Sequence, residues 1–236
     1  FDIFRRTPMN DWHVENKAEF ENVGQWKRAW YYPFNGENMH QAVQRESKAA
    51  RDSAGILDAS TLGKIDIQGT DASEFLNRVY TNAWSKLAIG KCRYGLMLNE
   101  DGMVYDDGVT TRLNENHYIM TTTTGGAANV LSKLEDYLQT EWPELDVYLT
   151  SVTDHYSTIS VCGPNSKKII SKVIPELDLS EENFPHMSFK NTKIGKINCR
   201  VMRISFTGEH SYEINIESRY GKSLWEKCMQ AGKEYN

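Results

Sequence analysis

An α+β fold, with antiparallel sheets and helices packed outside them, is what this 236-residue sequence predicts. Three observations carry that expectation. Strand-like segments arrive in runs between single helices, the order of antiparallel sheets rather than of a doubly wound parallel one. Asp101-Gly102 and the cluster Asn114-Glu115-Asn116 punctuate neighbouring strands at hairpin spacing. No GxGxxG or Walker loop marks a dinucleotide or nucleotide fold. The content of 39% hydrophobic and 11% aromatic residues is enough for a core, in one large domain or two small interlocked ones.

The opening, residues 1–36, is rich in aromatics (Trp12, Phe20, Trp26, Trp30, Tyr31, Tyr32, Phe34) but has no sustained helical or strand period. It is expected to pack as a segment on a body formed by residues 37–236. A helix is predicted from Met39 to Ser53, ended by Gly55. Ile56–Ser60 and Lys64–Gln68 read as strands, the second with clean alternation. Asp71 with Glu74 forms the pattern of a capping box. Behind it, Ala72, Phe75, Leu76, Val79 and Tyr80 share one helical face. Strands at Arg93–Leu98 and Met103–Arg112, then His117–Thr122, predict a three-stranded meander.

Gly125-Gly126 opens a helix with Ala127, Val130, Leu131, Leu134, Tyr137 and Leu138 on its apolar side. Strands follow near Val147–Val152 and Thr158–Cys162. Pro164 is expected in the first turn of the next helix, which carries Ile169, Ile170, Val173 and Ile174. Glu176–Pro185 reads as a polar loop, and Lys196–Ile204 and Tyr212–Ile216 as strands. The amphipathic stretch Lys222–Gln230 stops almost at once, and with Phe as the first residue this predicts a fragment of a longer protein.

Composition excludes several functions. A net charge of -5 from 27 basic and 32 acidic residues, intermixed, makes no positive field for a phosphate backbone, so nucleic acid is not expected. No apolar run approaches the roughly 20 residues that cross a bilayer, and no signal-like segment follows the N-terminus. A soluble, cytoplasmic protein is the expectation. Cys92, Cys162, Cys199 and Cys228 are widely spaced without a CxxC pair, and read as reduced core thiols. The six histidines form no HxH or HxxxH pair, so no metal site is expected, and no GxSxG elbow supports a nucleophilic serine.

Three places hold candidate chemistry. Asp106-Asp107 lies inside a strand, where alternation sends one carboxylate to solvent and the other to the covered face, unless a bulge exposes both. A carboxylate on a covered face is costly unless something bonds to it or uses it. Ser205–Glu213 is a turn between strands, readable as a polar hairpin or as a site around Glu213. Thr121–Gly126 joins a strand to a helix start and offers hydroxyls and free amides, although threonine also serves as strand filler.

Taken in order, Thr7-Pro8-Met9-Asn10-Asp11-Trp12-His13, Gly24-Gln25-Trp26-Lys27-Arg28, Tyr31-Tyr32-Pro33, Gly55–Ser60, Tyr94–Gly102, Asp106-Asp107, Gly163-Pro164 and Phe206–Glu209 resemble the glycine-cleavage T-protein (aminomethyltransferase) superfamily. They are most similar to the branch forming the folate-binding C-terminal region of the α subunit of heterotetrameric sarcosine oxidases. The resemblance covers almost the whole chain. It implies a fold whose downstream segment lies beyond Asn236, and Asp107 as the catalytic carboxylate, near N10 of tetrahydrofolate. It further implies Tyr94, Leu62 and Glu213 as folate contacts, with Glu213 on the donor nitrogens of the pterin. Phe206 stands where the T-protein pattern has Tyr, and Thr123 where it has Asn; both are carried over as folate contacts.

The same resemblance implies 5,10-methylenetetrahydrofolate formation from the one-carbon unit of oxidised sarcosine. Flavin and NAD are then expected elsewhere in the parent complex, and a flavin-bearing subunit among the partners. The alternatives are a stand-alone aminomethyltransferase of the glycine cleavage type, a folate-binding module without catalysis, and a scaffold.

Overall fold

A computed structural model describes residues 2–235; Phe1 and Asn236, which begin and end the segments read above, lie outside the described residues. The chain forms two compact units. One takes the chain up to Thr61, His155–His186 and the part from Lys190 onward; the other takes Leu62–Asp154 and Met187–Phe189.

The aromatic opening holds more regular structure than its lack of period suggests. Helix α1 spans Asn10–Glu15, and β1 (Glu19–Val23) and β2 (Trp26–Tyr31) make a hairpin. Elements of five and six residues are too short to show a period. Their signal is the turn, where Gly24 takes φ +56° between paired Val23 and Trp26. Helix α2 (Met39–Asp52) agrees with the sequence reading. Its start is fixed by Asn38, whose Oδ1 accepts from Gln41 N–H (3.1 Å) while Gln41 Oε1 accepts from Asn38 N–H (3.0 Å).

Strand β3 (Gly55–Asp58) is followed by β4 (Gly63–Gln68) and helix α3 (Ala72–Val79). Ala72, Phe75, Leu76 and Val79 are buried, as their spacing requires. The capping box expected at Asp71 and Glu74 does not form. Asp71 instead accepts the N–H of Asp146 (2.9 Å), and Asp146 accepts from the N–H and hydroxyl of Thr70 (3.1 and 2.9 Å). Glu74 bonds Arg78 Nε (3.0 Å). A contact between distant loops has taken the carboxylate that local sequence offers to the helix end.

β5 (Cys92–Leu98), β6 (Val104–Asn114) and β7 (His117–Thr122) form the expected meander. Gly102 (φ +82°) turns the first hairpin, which Asn99 N–H closes on Met103 O at 2.8 Å. Helix α4 (Ala127–Asp136) runs into a π turn at Tyr137–Glu141, then β8 (Tyr148–Ser151), β9 (Tyr156–Cys162) and α5 (Ser166–Val173) follow. Asn165 occupies the N-cap of α5, so Pro164 precedes the cap rather than sitting in the first turn. β10 (Ser188–Ile194) has no counterpart in the sequence reading. It is an edge strand with exposed Lys190, Asn191 and Lys193, and therefore lacks the apolar alternation of an inner strand. β11 (Ile197–Arg203), β12 (Ser211–Glu217) and α6 (Gly221–Gly232) complete the chain.

In the first unit the strand order is β10-β11-β12-β9-β3. One face of that sheet supplies Ile159, Val161, Val201, Tyr212, Ile214 and Ile216 to a core shared with Ile169 and Ile170 of α5 and Leu224 and Trp225 of α6. In the second unit the order is β5-β6-β7-β4-β8, antiparallel throughout. Ile65, Ile67, Met97, Tyr118 and Met120 face Phe75 and Leu76 of α3 and Val130 and Leu134 of α4. Each such fully buried side chain contributes roughly 1.5–3 kcal/mol relative to exposure. On the first unit's sheet the opposite face carries Thr158, Ser160, Ser211, Glu213 and Asn215; on the second unit's sheet Tyr94 and Asp107 lie on the face opposite Met97, and Asp106 on the same face as Met97.

The four cysteines are free and buried; burial pushes the thiols of Cys199 and Cys228 up to about 11 and about 12. Among the described residues no helix is long and apolar enough to cross a membrane, and no group of His, Cys, Asp and Glu could hold a metal ion.

Candidate functional site

Alternation along β6 separates the two aspartates. Asp106 is 3% exposed, whereas its neighbour is half-buried. The Asp106 carboxylate accepts the Thr123 hydroxyl (2.6 Å) and, at 3.3 Å to each oxygen, the Thr123 N–H. Thr123 Oγ1 in turn accepts from Gly126 N–H (3.1 Å) at the start of α4. A Cβ on Gly126 would lie 2.7 Å from both Asp106 Oδ1 and Thr123 Oγ1, so only glycine fits. Asp106 thus joins the end of β7 to the start of α4, and its carboxylate is used up by the fold.

Burial holds the Asp106 carboxyl above its usual range, against the Thr123 hydrogen bonds that draw it down. A carboxyl whose folded pKa exceeds its unfolded one stabilises the fold most below the unfolded value, about 4, and loses that contribution as pH rises through the folded value. Asp106→Asn keeps an acceptor for Thr123 and cannot ionise. Urea unfolding should therefore show wild-type stability declining relative to Asp106→Asn between pH 4 and 7; a constant difference would contradict this.

Asp107 accepts the Tyr94 hydroxyl on Oδ2 at 2.9 Å. The register explains the contact: Asp107 pairs with Leu96 and Val109 with Tyr94, which makes Tyr94 and Asp107 diagonal neighbours on one face. The hydrogen bond to the carboxylate holds the Tyr94 phenol above its usual value. Tyr94 remains half exposed. Gly108 is required beside Asp107, since a Cβ there would sit 1.9 Å from the Thr121 carbonyl oxygen. Leu62 lies immediately before β4, half-buried, its carbonyl accepting from Lys64 Nζ at 2.9 Å.

In the first unit, Tyr212 and Ile214 point into the core, which sends Glu213 to the opposite face with Ser211 and Asn215. Glu213 pairs with Ser160 of β9 and Met202 of β11 and is 8% exposed. Around it Ser160 and Ser211 share a hydrogen bond (3.2 Å), and Thr158 donates to Asn215 Oδ1 (2.5 Å). Phe206 stands 87% exposed on the preceding turn. There Gly208 has φ +83° and its N–H donates to Ser205 Oγ (3.0 Å), whose hydroxyl donates to Glu209 O (2.6 Å).

The structure thus joins Tyr94 to Asp107 and ties Thr123 to the neighbouring Asp106. Leu62 belongs to the same unit, and Glu213 and Phe206 to the other.

The profile of the GCVT N-terminal domain matches residues 9–236. The chain belongs to that family. It is 55% identical over 236 residues to a sarcosine oxidase subunit alpha from Corynebacterium sp. (strain P-1), covering 100% of this chain and 24% of the relative. It is 30% identical over 234 residues to an aminomethyltransferase from Thermoanaerobacter pseudethanolicus, covering 99% of this chain and 60% of the relative. The chain therefore spans about a quarter and about three fifths of the lengths of these proteins. Among solved structures, the glycine cleavage system aminomethyltransferase T of Bartonella henselae superposes with a TM-score of 0.79 at 23% identity, over 95% of this chain and 57% of that one. The aminomethyltransferase fold and the superfamily resemblance read from the motifs are both shown by these matches.

Two features of this GCVT domain escaped the motif reading. Lys64 is 1% exposed although it occupies the polar phase of an alternating strand. His13, a packed imidazole, bridges Tyr32 Oη (2.7 Å to Nδ1) and Asp58 Oδ2 (3.0 Å to Nε2) inside the first unit. Neither leaves a signal in spacing: Lys64 occupies a position that alternation reads as exposed, and the His13 contacts join residues 19 and 45 positions apart.

Proposed function

We propose that this chain is the tetrahydrofolate-binding domain of a sarcosine oxidase-type enzyme, where the one-carbon unit of oxidised sarcosine becomes 5,10-methylenetetrahydrofolate. The observation that carries the reading is the division of labour between the paired aspartates. Asp106 is consumed by the fold, and half-buried Asp107, on the opposite face of the sheet, accepts the Tyr94 phenol. The 55% identity to a sarcosine oxidase subunit alpha, along the whole chain, supports that assignment over a stand-alone aminomethyltransferase, where the identity is 30%.

Each unit by itself offers groups that suit a reduced folate. Glu213 offers a nearly buried carboxylate that can accept two adjacent N–H groups of a pterin. Tyr94 and Phe206 offer exposed aromatic faces, and Leu62 a half-buried apolar side chain. Thr123 contributes by fixing the strand end beside Asp107. Bound here, tetrahydrofolate supplies the two amine nitrogens that take up the one-carbon unit. Asp107 orients the amine nearer to it, accepts its proton, and stabilises positive charge at the reacting carbon. Tyr94 holds that carboxylate in one position. Oxidation of the amine belongs to a flavin on a partner subunit, and any nicotinamide site lies outside these residues.

Given sarcosine, oxygen and tetrahydrofolate, the complete protein should release 5,10-methylenetetrahydrofolate in place of free formaldehyde. Release of formaldehyde alone, whatever the folate concentration, would overturn the reading.

A further inference from the structure

Lys64 is among the largest fully buried side chains, yet it lies on the sheet face opposite the apolar core, since its neighbours Gly63 and Ile65 flank it and Ile65 and Ile67 fill that core. Its backbone is held on both sides: the N–H donates to Thr153 Oγ1 (3.0 Å) and the carbonyl accepts Val152 N–H (2.8 Å). From that fixed base the side chain turns back two residues, and Nζ donates to Leu62 O at 2.9 Å. The register puts Lys64 opposite Thr121, Thr121 Oγ1 accepts from Val109 N–H, and Val109 pairs with Tyr94. Lys64 therefore belongs to the row of residues that runs across four strands to Tyr94, with Asp107 diagonal to Tyr94 on the same face.

A buried ammonium is costly, and a core built of Ile65 and Ile67 has no need of one. A strand position of this kind would ordinarily hold an exposed polar or a buried apolar residue. Among its contacts, the lysine holds the Leu62 peptide at the point where the chain enters β4.

We propose that Lys64 is a positioning residue for the ligand site: it pins the Leu62 carbonyl and so sets the Leu62 side chain against the ligand on the face that holds Asp107. With its carbonyl committed to Lys64, Leu62 meets the ligand through its apolar side chain. The proposal rests on the folate reading given above.

The test is Lys64→Met and Lys64→Gln in the complete protein, with tetrahydrofolate affinity by calorimetry and hydrogen exchange at the Leu62 and Gly63 amides. Losing the charge-assisted hydrogen bond to Leu62 O should weaken binding about tenfold in Lys64→Met and speed exchange at both amides, while Lys64→Gln, which keeps a donor, stays within about threefold of wild type. Wild-type affinity and exchange in Lys64→Met would overturn the proposal. So would equal impairment of the two variants, which would make the space filled matter rather than the donor. If Lys64→Met does not fold, Lys64→Gln decides alone, and failure of both to fold assigns Lys64 to the fold and overturns its role at the site. A wild-type protein that binds no tetrahydrofolate would refute the folate reading; unchanged exchange in the variants would refute the positioning role separately.

Discussion

Replacing Glu213 by alanine is expected to weaken tetrahydrofolate binding at least about 100-fold, because hydrogen bonds to a charged acceptor are worth about 1.5–3 kcal/mol each and two are lost together. Glu213 is 8% exposed on the polar face of the first unit's sheet, between Ser160 and Met202, so little water reaches its carboxylate. Glu213→Gln keeps one acceptor oxygen and loses the charge, and should fall between the two. Calorimetric titration of the three proteins separates these cases. Affinities within about threefold of one another would remove Glu213 from the site.

Asp58→Ala should have the largest effect on stability. Asp58 is nearly fully buried, and its carboxylate accepts from His13 Nε2 (3.0 Å) and from Ser60 N–H (3.0 Å), while His13 Nδ1 accepts the Tyr32 hydroxyl (2.7 Å). Burial pushes the carboxyl up, but hydrogen bonds from His13, Thr7 and Ser60 outweigh it and hold Asp58 below its usual range. Burial, together with the charges of Asp58 and Glu46, raises the Tyr32 phenol. Alanine would leave several interior donors without an acceptor, at a cost of about 3–5 kcal/mol. A carboxyl with a depressed folded pKa stabilises the fold above its unfolded pKa, about 4, and ceases to do so as pH falls through the folded value. Urea unfolding should thus show a large gap between wild type and Asp58→Ala at pH 7 that narrows at pH 3. A gap below about 1 kcal/mol at pH 7 would mean the network is surface-like in strength.

How much of this was legible in the sequence depended on how local each feature is. The α3 face could be read because Ala72, Phe75, Leu76 and Val79 report burial through spacing alone. The meander could be read because Gly102 and the Asn114–Asn116 turn state where strands end. The capping box at Asp71 could not, since the competing Asp146 lies 75 residues away. Strand β10 was invisible because an edge strand carrying Lys190, Asn191 and Lys193 has the composition of a loop. At the site, alternation showed that the paired aspartates face opposite ways, but only the resemblance singled out Asp107. The structure adds the reason the two differ, with Thr123 and Gly126 closing around Asp106 and Tyr94 reaching Asp107. Lys64 gave no sign at all, as its burial is a property of the assembled unit.

On the proposed reading, Asp107 serves the one-carbon transfer and not the oxidation. The most direct measurement is the partition of product between 5,10-methylenetetrahydrofolate and free formaldehyde during sarcosine turnover by the complete protein, wild type beside Asp107→Asn. General acid–base assistance typically contributes about 10²–10⁴-fold, so the variant should oxidise sarcosine at the wild-type rate and release nearly all the carbon as formaldehyde. An unchanged partition in Asp107→Asn, with tetrahydrofolate bound, would remove Asp107 from the transfer.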